Sequence, residues 1–229
     1  MTNKTFDETK NYFVFCHIPK CGGTTMHKFL AEVMQSRYLY ITANVDWQSQ
    51  IAGAIGSGGH QINNANPIFE REGLEPVRMI ILREPLERFL SFYKHVQDNP
   101  RHYLAGRPGV LGMSPLQFAH HCVETDVTEF KNLQARYVVG SERSYSDFSE
   151  LTRIFDDEFS FFAPLKNINN LFDKINNFFG TDVSYPRKEN VSTKRAFDSS
   201  DWQEMAEIVY AANAADVRLY SHCLERCIL

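Results

Sequence analysis

Lys20, Cys21, Gly22, Gly23, Thr24 and Thr25 stand in a row between an apolar run and a helical pattern. Those residue types in that order suit the gripping of an anion. Paired glycines let the backbone turn so that N–H groups converge, two hydroxyls add donors, and Lys20 brings a full positive charge. A helix beginning here adds the positive end of its dipole. A second donor group, Arg83 and Ser91, lies in Arg83-Glu84-Pro85-Leu86-Glu87-Arg88-Phe89-Leu90-Ser91. An arginine fork with a hydroxyl suits a dianionic phosphate, which takes bidentate, charge-assisted hydrogen bonds. A Walker A loop places its lysine after the glycines, beside a hydroxyl on Mg²⁺. Here Lys20 precedes Gly22 and Gly23, which argues against a nucleoside triphosphate.

Both groups need a strand and a helix to hold them. Phe13, Val14 and Phe15 read as a buried strand over 12–16, and Met26, Phe29, Leu30, Val33 and Met34 predict a helix over about 24–36. Val77–Leu82 reads as a second strand, and Pro85 opens a helix to about 97 with the stripe Leu86, Phe89, Leu90, Tyr93, Val96. Arg83 then falls at a strand's carboxyl end, where ligands of open α/β sheets collect. The pattern further predicts a strand near 38–42, a helix near 46–54 and a loop through Gly53, Gly56, Gly58 and Gly59. Because that loop follows a helix, a dinucleotide fingerprint is set aside. Residues 98–113 are turn-rich. Helices are expected from Ser114-Pro115, over 128–139, over 147–156, and over 168–179 ending at Gly180. A strand at 159–162, a polar loop over 181–198 and one long helix from Ser200, with Gln203 completing a capping box, fill the rest. This alternation predicts an α/β fold, a P-loop-like three-layer sandwich with a central, mainly parallel sheet flanked by helices.

The lysine-first run His17-Ile18-Pro19-Lys20-Cys21-Gly22-Gly23-Thr24-Thr25 resembles the 5′-phosphosulfate loop of sulfotransferases that use 3′-phosphoadenosine 5′-phosphosulfate (PAPS). The pattern R-x-P-x-x-R-x-x-S from Arg83 to Ser91 resembles the 3′-phosphate motif of the same family, in the family's order. The chain looks most like the glycan group that includes the uronyl and heparan sulfate 2-O-sulfotransferases and their bacterial relatives. The likeness covers roughly residues 12–220 and is thin outside the two motifs.

The resemblance implies sulfuryl transfer from PAPS to an acceptor hydroxyl, leaving 3′-phosphoadenosine 5′-phosphate (PAP), with no metal. It gives Lys20 the bridging oxygen, the loop Cys21–Thr25 the 5′-phosphate, and Arg83 and Ser91 the 3′-phosphate. Ser192, Thr193, Lys194 and Arg195 lie where relatives close a loop over the nucleotide, although a solvated basic turn explains them equally well. Gly59-His60 matches the Gly-His pair that carries the catalytic histidine of 2-O-sulfotransferases, so His60 is the candidate base. His17 is assigned to positioning the loop. His95, His102, His120, His121 and Glu32 are the other candidates for the base. Relatives usually carry Thr or Ser at Cys21; a thiol in an electropositive loop is expected to have a lowered pKa and to react readily. Arg88 either braces the loop or lies on the surface. The segment Asn132-Leu133-Gln134-Ala135-Arg136-Tyr137 also looks like the family's and is read as a structural anchor.

A chain of 229 residues is expected to form one domain over 1–229, with 1–11 as a flexible segment. The turn-rich 98–113 is the candidate for a mobile loop over the acceptor. Five cysteines, an odd count at irregular spacing, point to reduced thiols and a cytoplasmic protein. No apolar run approaches the ~20 residues of a membrane span, and the N-terminus lacks an apolar signal core. A net charge of −4 argues mildly against a long polyanionic acceptor, and no nucleic-acid partner is expected. A local basic strip (Lys94, Arg101, Arg107, Lys131, Arg136) leaves the polyanion open. The expected acceptor is a hydroxyl on a sugar, lipid headgroup or small metabolite. The alternatives are a nucleotide-dependent kinase of a small metabolite, which needs Mg²⁺ and carboxylates beside the loop, and a non-catalytic member that only binds nucleotide or sulfate.

Overall fold

Tyr12, Val14 and Cys16 enter one apolar cluster, while Phe13 and Phe15 enter another. Alternate residues of one strand therefore face two cores, the condition of a parallel sheet covered on both sides. In the computed structural model, which describes residues 5–41, 53–60, 66–140, 143–185 and 199–228, this strand is β1 (Asn11–Cys16). It is joined by β2 (Tyr38–Ile41), β3 (Gly56–Gly59), β4 (Glu75–Leu82) and β5 (Phe159–Pro164). All pairs are parallel, in the order β2-β3-β1-β4-β5.

On the Phe13/Phe15 face pack α1 (Gly23–Met34) and α7 (Ile168–Phe179), through Met26, Phe29, Leu171 and Phe172. The opposite face is covered by α2 (Asn66–Arg71), α5 (Leu133–Val139), α6 (Phe148–Glu158) and α9 (Ala214–Ile228). A third cluster joins α3 (Pro85–Asp98), α4 (Pro115–Glu124) and α8 (Ser199–Ala212). The three-layer α/β architecture with a parallel sheet is thus the one the sequence pattern predicts.

Several local expectations need correction. Gly56–Gly59, expected in a loop, is the fully buried strand β3. Crowding explains the glycines: a Cβ on Gly56 would sit 2.6 Å from Met34 Sδ, and one on Gly58 would overlap the Tyr38 hydroxyl. Glycine is a poor strand former, but here no larger residue fits between β2, β1 and α1. The expected helix near 46–54 lies almost wholly outside the described residues. The helix expected over 128–139 is formed only from Leu133, after Asn132 in a left-handed conformation (φ 43°). The long final helix is two helices broken at buried Asn213, whose Nδ2 donates to the Val209 carbonyl at 2.8 Å. Residues 98–113 are turn-built as expected but anchored rather than loose. Leu104 and Val110 are fully buried, Tyr93 Oη donates to the Met113 carbonyl (2.8 Å) and Gln97 Nε2 to that of Val110 (2.9 Å). The expected flexible N-terminal segment is tied down from Phe6 on: its N–H donates to the Phe178 carbonyl (3.0 Å), and its ring packs on Phe178 and Phe179.

A methyl group at Gly58 has nowhere to go. Gly58→Ala is expected to cost about 1–3 kcal/mol by overpacking, lowering Tm by roughly 2–12 °C in a thermal melt.

Candidate functional site

The first corner follows β1. Lys20 and Gly22 both have positive φ, 69° and 85°, so left-handed residues alternate through the turn. Such alternation turns successive N–H groups toward one side. Gly22 is the N-cap of α1 and offers no side-chain cap, and the first turn holds no acidic residue. The first helical bond runs from Met26 N–H to the Gly22 carbonyl (3.2 Å). The N–H groups of Gly23, Thr24 and Thr25 therefore have no acceptor within the helix. Thr24 is exposed and Thr25 half-buried. Gly22 also lies under Leu165, whose Cδ1 would be 2.5 Å from an added Cβ, while a Cβ on Gly23 would overlap the His17 ring.

Cys21 does not behave as expected of a thiol in a basic loop. Its side chain is 1% exposed and turned into the core, with Sγ 3.6 Å from Gln134 Oε1. Burial pushes the thiol up to about 12, against the weaker pull of Arg88 and Arg83. The reactive, low-pKa reading is overturned: the thiol faces the core, and the Cys21 N–H is taken up by the Ile18 carbonyl at 3.2 Å.

The second corner follows β4. One side-chain amide satisfies both backbone groups of Arg83: its N–H donates to Gln134 Oε1 at 2.7 Å, and Gln134 Nε2 donates to its carbonyl at 2.8 Å. The Arg83 guanidinium crosses to the first corner, where Nη1 donates to the Lys20 carbonyl at 3.1 Å. Arg83 Nε is buried and has no hydrogen-bond acceptor among the described residues; the Glu87 carboxylate stands 3.7 Å away. The fork thus keeps donor capacity. Burial and the Arg83 charge both hold Lys20 below the usual lysine range. In α3, Pro85 occupies the first turn and the Glu84 carboxylate accepts from Glu87 N–H. Ser91, half-buried, lies about 9 Å further along the helix axis. Of the two readings of Arg88, the structure takes the brace: the side chain is 1% exposed and donates to the Glu129 and Phe130 carbonyls at 3.1 and 3.0 Å.

Gln134 is the residue whose task the sequence does not disclose. Fully buried, it opens α5 next to Asn132, where α5 and α9 cap each other. The Asp216 carboxylate accepts from Gln134 N–H (3.1 Å) and Ala135 N–H (2.8 Å), while Asn132 Oδ1 accepts from Ala215 N–H (3.0 Å). The sequence reading of 132–137 as a structural anchor agrees with this, but a lone amide between Leu133 and Ala135 gives no sign of its partners.

His60 follows β3, and the pairing Cys16↔Gly59 sets it beside His17. Its Nδ1 lies 2.8 Å from the His17 carbonyl, and the two rings are 4.2 Å apart. A carbonyl only accepts, so Nδ1 donates; in the neutral ring the lone pair is then on Nε2, the tautomer a base requires. Glu32, exposed, lies about 14 Å up α1 from the cradle, too far to serve it. The His95 and His102 rings stand 5.5 Å apart; burial holds both below the ordinary histidine range, and the Lys20 charge adds to the effect. His120 meets Glu204 of α8 at 3.0 Å, and His121 Nε2 is buried without a partner among the described residues. Ser192, Thr193, Lys194 and Arg195 lie outside the described residues.

Residues 3–221 match the family model described as Sulfotransferase family. The crystal structure of a sulfotransferase from Alicyclobacillus acidocaldarius superposes with a TM-score of 0.53 and 12% identity, over 93% of this chain and 96% of that one. At that identity the likeness bears on the fold alone. The crystal structure of mouse sulfotransferase SULT7A1 complexed with PAP gives a TM-score of 0.44 and 15% identity, over 91% of this chain and 67% of that one, too low a score to carry an argument. No curated protein matches the chain.

The cysteines should separate on alkylation. Cys227 is partly exposed, and a hydrogen bond from Cys223 holds its pKa below the usual thiol range. Iodoacetamide is expected to label Cys227 first and to leave Cys21 untouched until the protein unfolds, as read by peptide mass spectrometry. Equal rates at the two sites would contradict the burial of Cys21.

Proposed function

The chain belongs to the sulfotransferase family, and from that premise we propose that it transfers a sulfuryl group from PAPS to an acceptor hydroxyl by in-line displacement, with His60 as the base. The observation that carries the reading is the hydrogen bond between the Arg83 guanidinium and the Lys20 carbonyl, which makes two anion-binding corners neighbours. A donor with a phosphate at each end of one adenosine calls for two such corners side by side. The donor set suits it: uncapped N–H groups at the start of α1, a buried Arg83 Nε without an acceptor among the described residues, and no carboxylate in the first turn of α1.

In this reading the N–H groups of Gly22, Gly23, Thr24 and Thr25 hold the 5′ end, without Cys21, whose N–H is bonded to the Ile18 carbonyl, and Arg83 and Ser91 hold the 3′-phosphate. Ser192, Thr193, Lys194 and Arg195 are proposed to close over the nucleotide. PAPS supplies an activated sulfuryl group on a good leaving group. Lys20 neutralises negative charge at the bridging oxygen. His60 Nε2 takes the acceptor proton, while the bond from Nδ1–H to the His17 carbonyl holds the ring and steadies the imidazolium that forms. The acceptor is proposed to be a hydroxyl of a glycan, lipid headgroup or small metabolite; the likeness to the 2-O-sulfotransferases supports the glycan among them. We include in the proposal a single domain over 1–229 and a cytoplasmic setting, the latter supported by five free cysteines. Among the described residues no helix is long and apolar enough to cross a membrane. Neither alternative is favoured: a metabolite kinase sits poorly with the family, and a non-catalytic binder gives no reason for the base tautomer of His60.

The roles separate on substitution. Lys20→Ala should lower turnover by about 100-fold or more. Arg83→Ala should weaken PAP binding by roughly 10- to 100-fold. His60→Ala should bind PAP normally in calorimetry yet lose transfer of labelled sulfate by about 10²–10⁴-fold. ATP, with or without Mg²⁺, should bind far more weakly than PAP. Normal turnover by His60→Ala would remove it as the base.

A further inference from the structure

We infer that Tyr38, His27 and His17 form a one-way hydrogen-bond chain that presents the His17 Nε2–H group to the anion held at the start of α1. His17 is then a further donor-binding residue, and His27 and Tyr38 are the residues that position its proton. The inference rests on the proposed reading of the cradle as the seat of the donor's 5′-phosphate.

Two short contacts make the chain. Tyr38 Oη lies 2.6 Å from His27 Nδ1, and His27 Nε2 lies 3.0 Å from His17 Nδ1. Burial pushes His17 down to about 2 and His27 down to about 4, with the neighbouring charges adding to it, so both rings are neutral near neutral pH. A neutral imidazole has one N–H and one lone pair, and the proton on one nitrogen dictates the role of the other. The chain can therefore run in only two directions.

The tail decides which. Among the described residues the Tyr38 hydroxyl hydrogen-bonds to His27 alone. Were His27 Nδ1–H to donate to the tyrosine oxygen, the largely buried phenol proton would have no acceptor among the described residues, at the desolvation cost of that group. So the hydroxyl donates to His27 Nδ1, His27 Nε2–H donates to His17 Nδ1, and the remaining proton sits on His17 Nε2. Each bond in such a run polarises the next in the same sense, positive end toward the cradle.

The glycines of two separate motifs make room for the two ends. A Cβ on Gly58, in β3, would overlap the Tyr38 hydroxyl and lie 2.9 Å from His27 Cε1. A Cβ on Gly23, the first residue of α1, would overlap His17 Nε2 itself. The head of the chain thus rests on the first turn of α1, where the N–H groups of Gly23, Thr24 and Thr25 have no helical acceptor. Because His17 is neutral, it adds a donor there without adding charge beside Lys20, whose own charge already lowers the His17 pKa.

Long-range ¹H–¹⁵N spectra of histidine-labelled enzyme report which nitrogen of His17 is protonated. The expected result is the Nε2–H form, with a resonance that moves when PAP is added. Tyr38→Phe keeps the ring but removes the proton that orders the chain. It should give mixed His17 tautomers and weaken PAP binding by about three- to tenfold in calorimetry, with an unchanged fold by circular dichroism. His17→Phe should weaken PAP binding by about tenfold. A His17 Nδ1–H form in the wild type overturns the inference. So does an Nε2–H resonance indifferent to saturating PAP, or a Tyr38→Phe enzyme with unchanged tautomer and affinity. If wild-type enzyme fails to bind PAP, the proposed function falls and the anion contact with it, while the spectra still decide the direction of the chain.

Discussion

The Gln134 amide pins the Arg83 backbone from both sides, and the Arg83 side chain in turn reaches the Lys20 carbonyl. A parallel sheet brings the ends of β1 and β4 to one edge but does not fix how their loops lie on each other. Here that is fixed by three hydrogen bonds among groups largely withdrawn from water. An amide buried in an apolar cluster is costly unless its donors and acceptor are used. In Gln134 both are, so any shift of the Arg83 loop would orphan a buried polar group.

This constraint explains helices that never touch the cradle. Through Asp216 and Asn132, α9 fixes the start of α5 and hence Gln134. Arg88 ties α3 to the turn before α5 through the Glu129 and Phe130 carbonyls. The C-terminal helices thus act on the site at one remove, by holding the residue that holds Arg83.

The sequence was most legible where periodicity was strong and local. The strands around Phe13–Phe15 and Val77–Leu82, and the helices after Gly23 and Pro85, follow from short-range pattern, and so does the turn between Lys20 and Thr25. It was least legible where the reason lies far along the chain. Gly56 and Gly58 stand inside a strand because Met34, Phe13 and Tyr38 leave no space for a Cβ there, which no propensity scale records. Cys21 is inert because its thiol turns toward Gln134, more than a hundred residues away. The break at Asn213 serves the same distant junction, since Asn213 Oδ1 accepts from Asn132 N–H at 3.0 Å.

Electrostatically, the site gathers cations without crowding them. Lys20 and Arg83 converge, yet the histidines beside them are kept neutral by burial. The crystal structure of the PAP complex is the most direct test. The account predicts one phosphate against the first-turn N–H groups of α1, the other on Arg83 and Ser91, and the bond from Arg83 to the Lys20 carbonyl kept. A nucleotide bound with either corner empty, or with that bond broken and the corners apart, would contradict it.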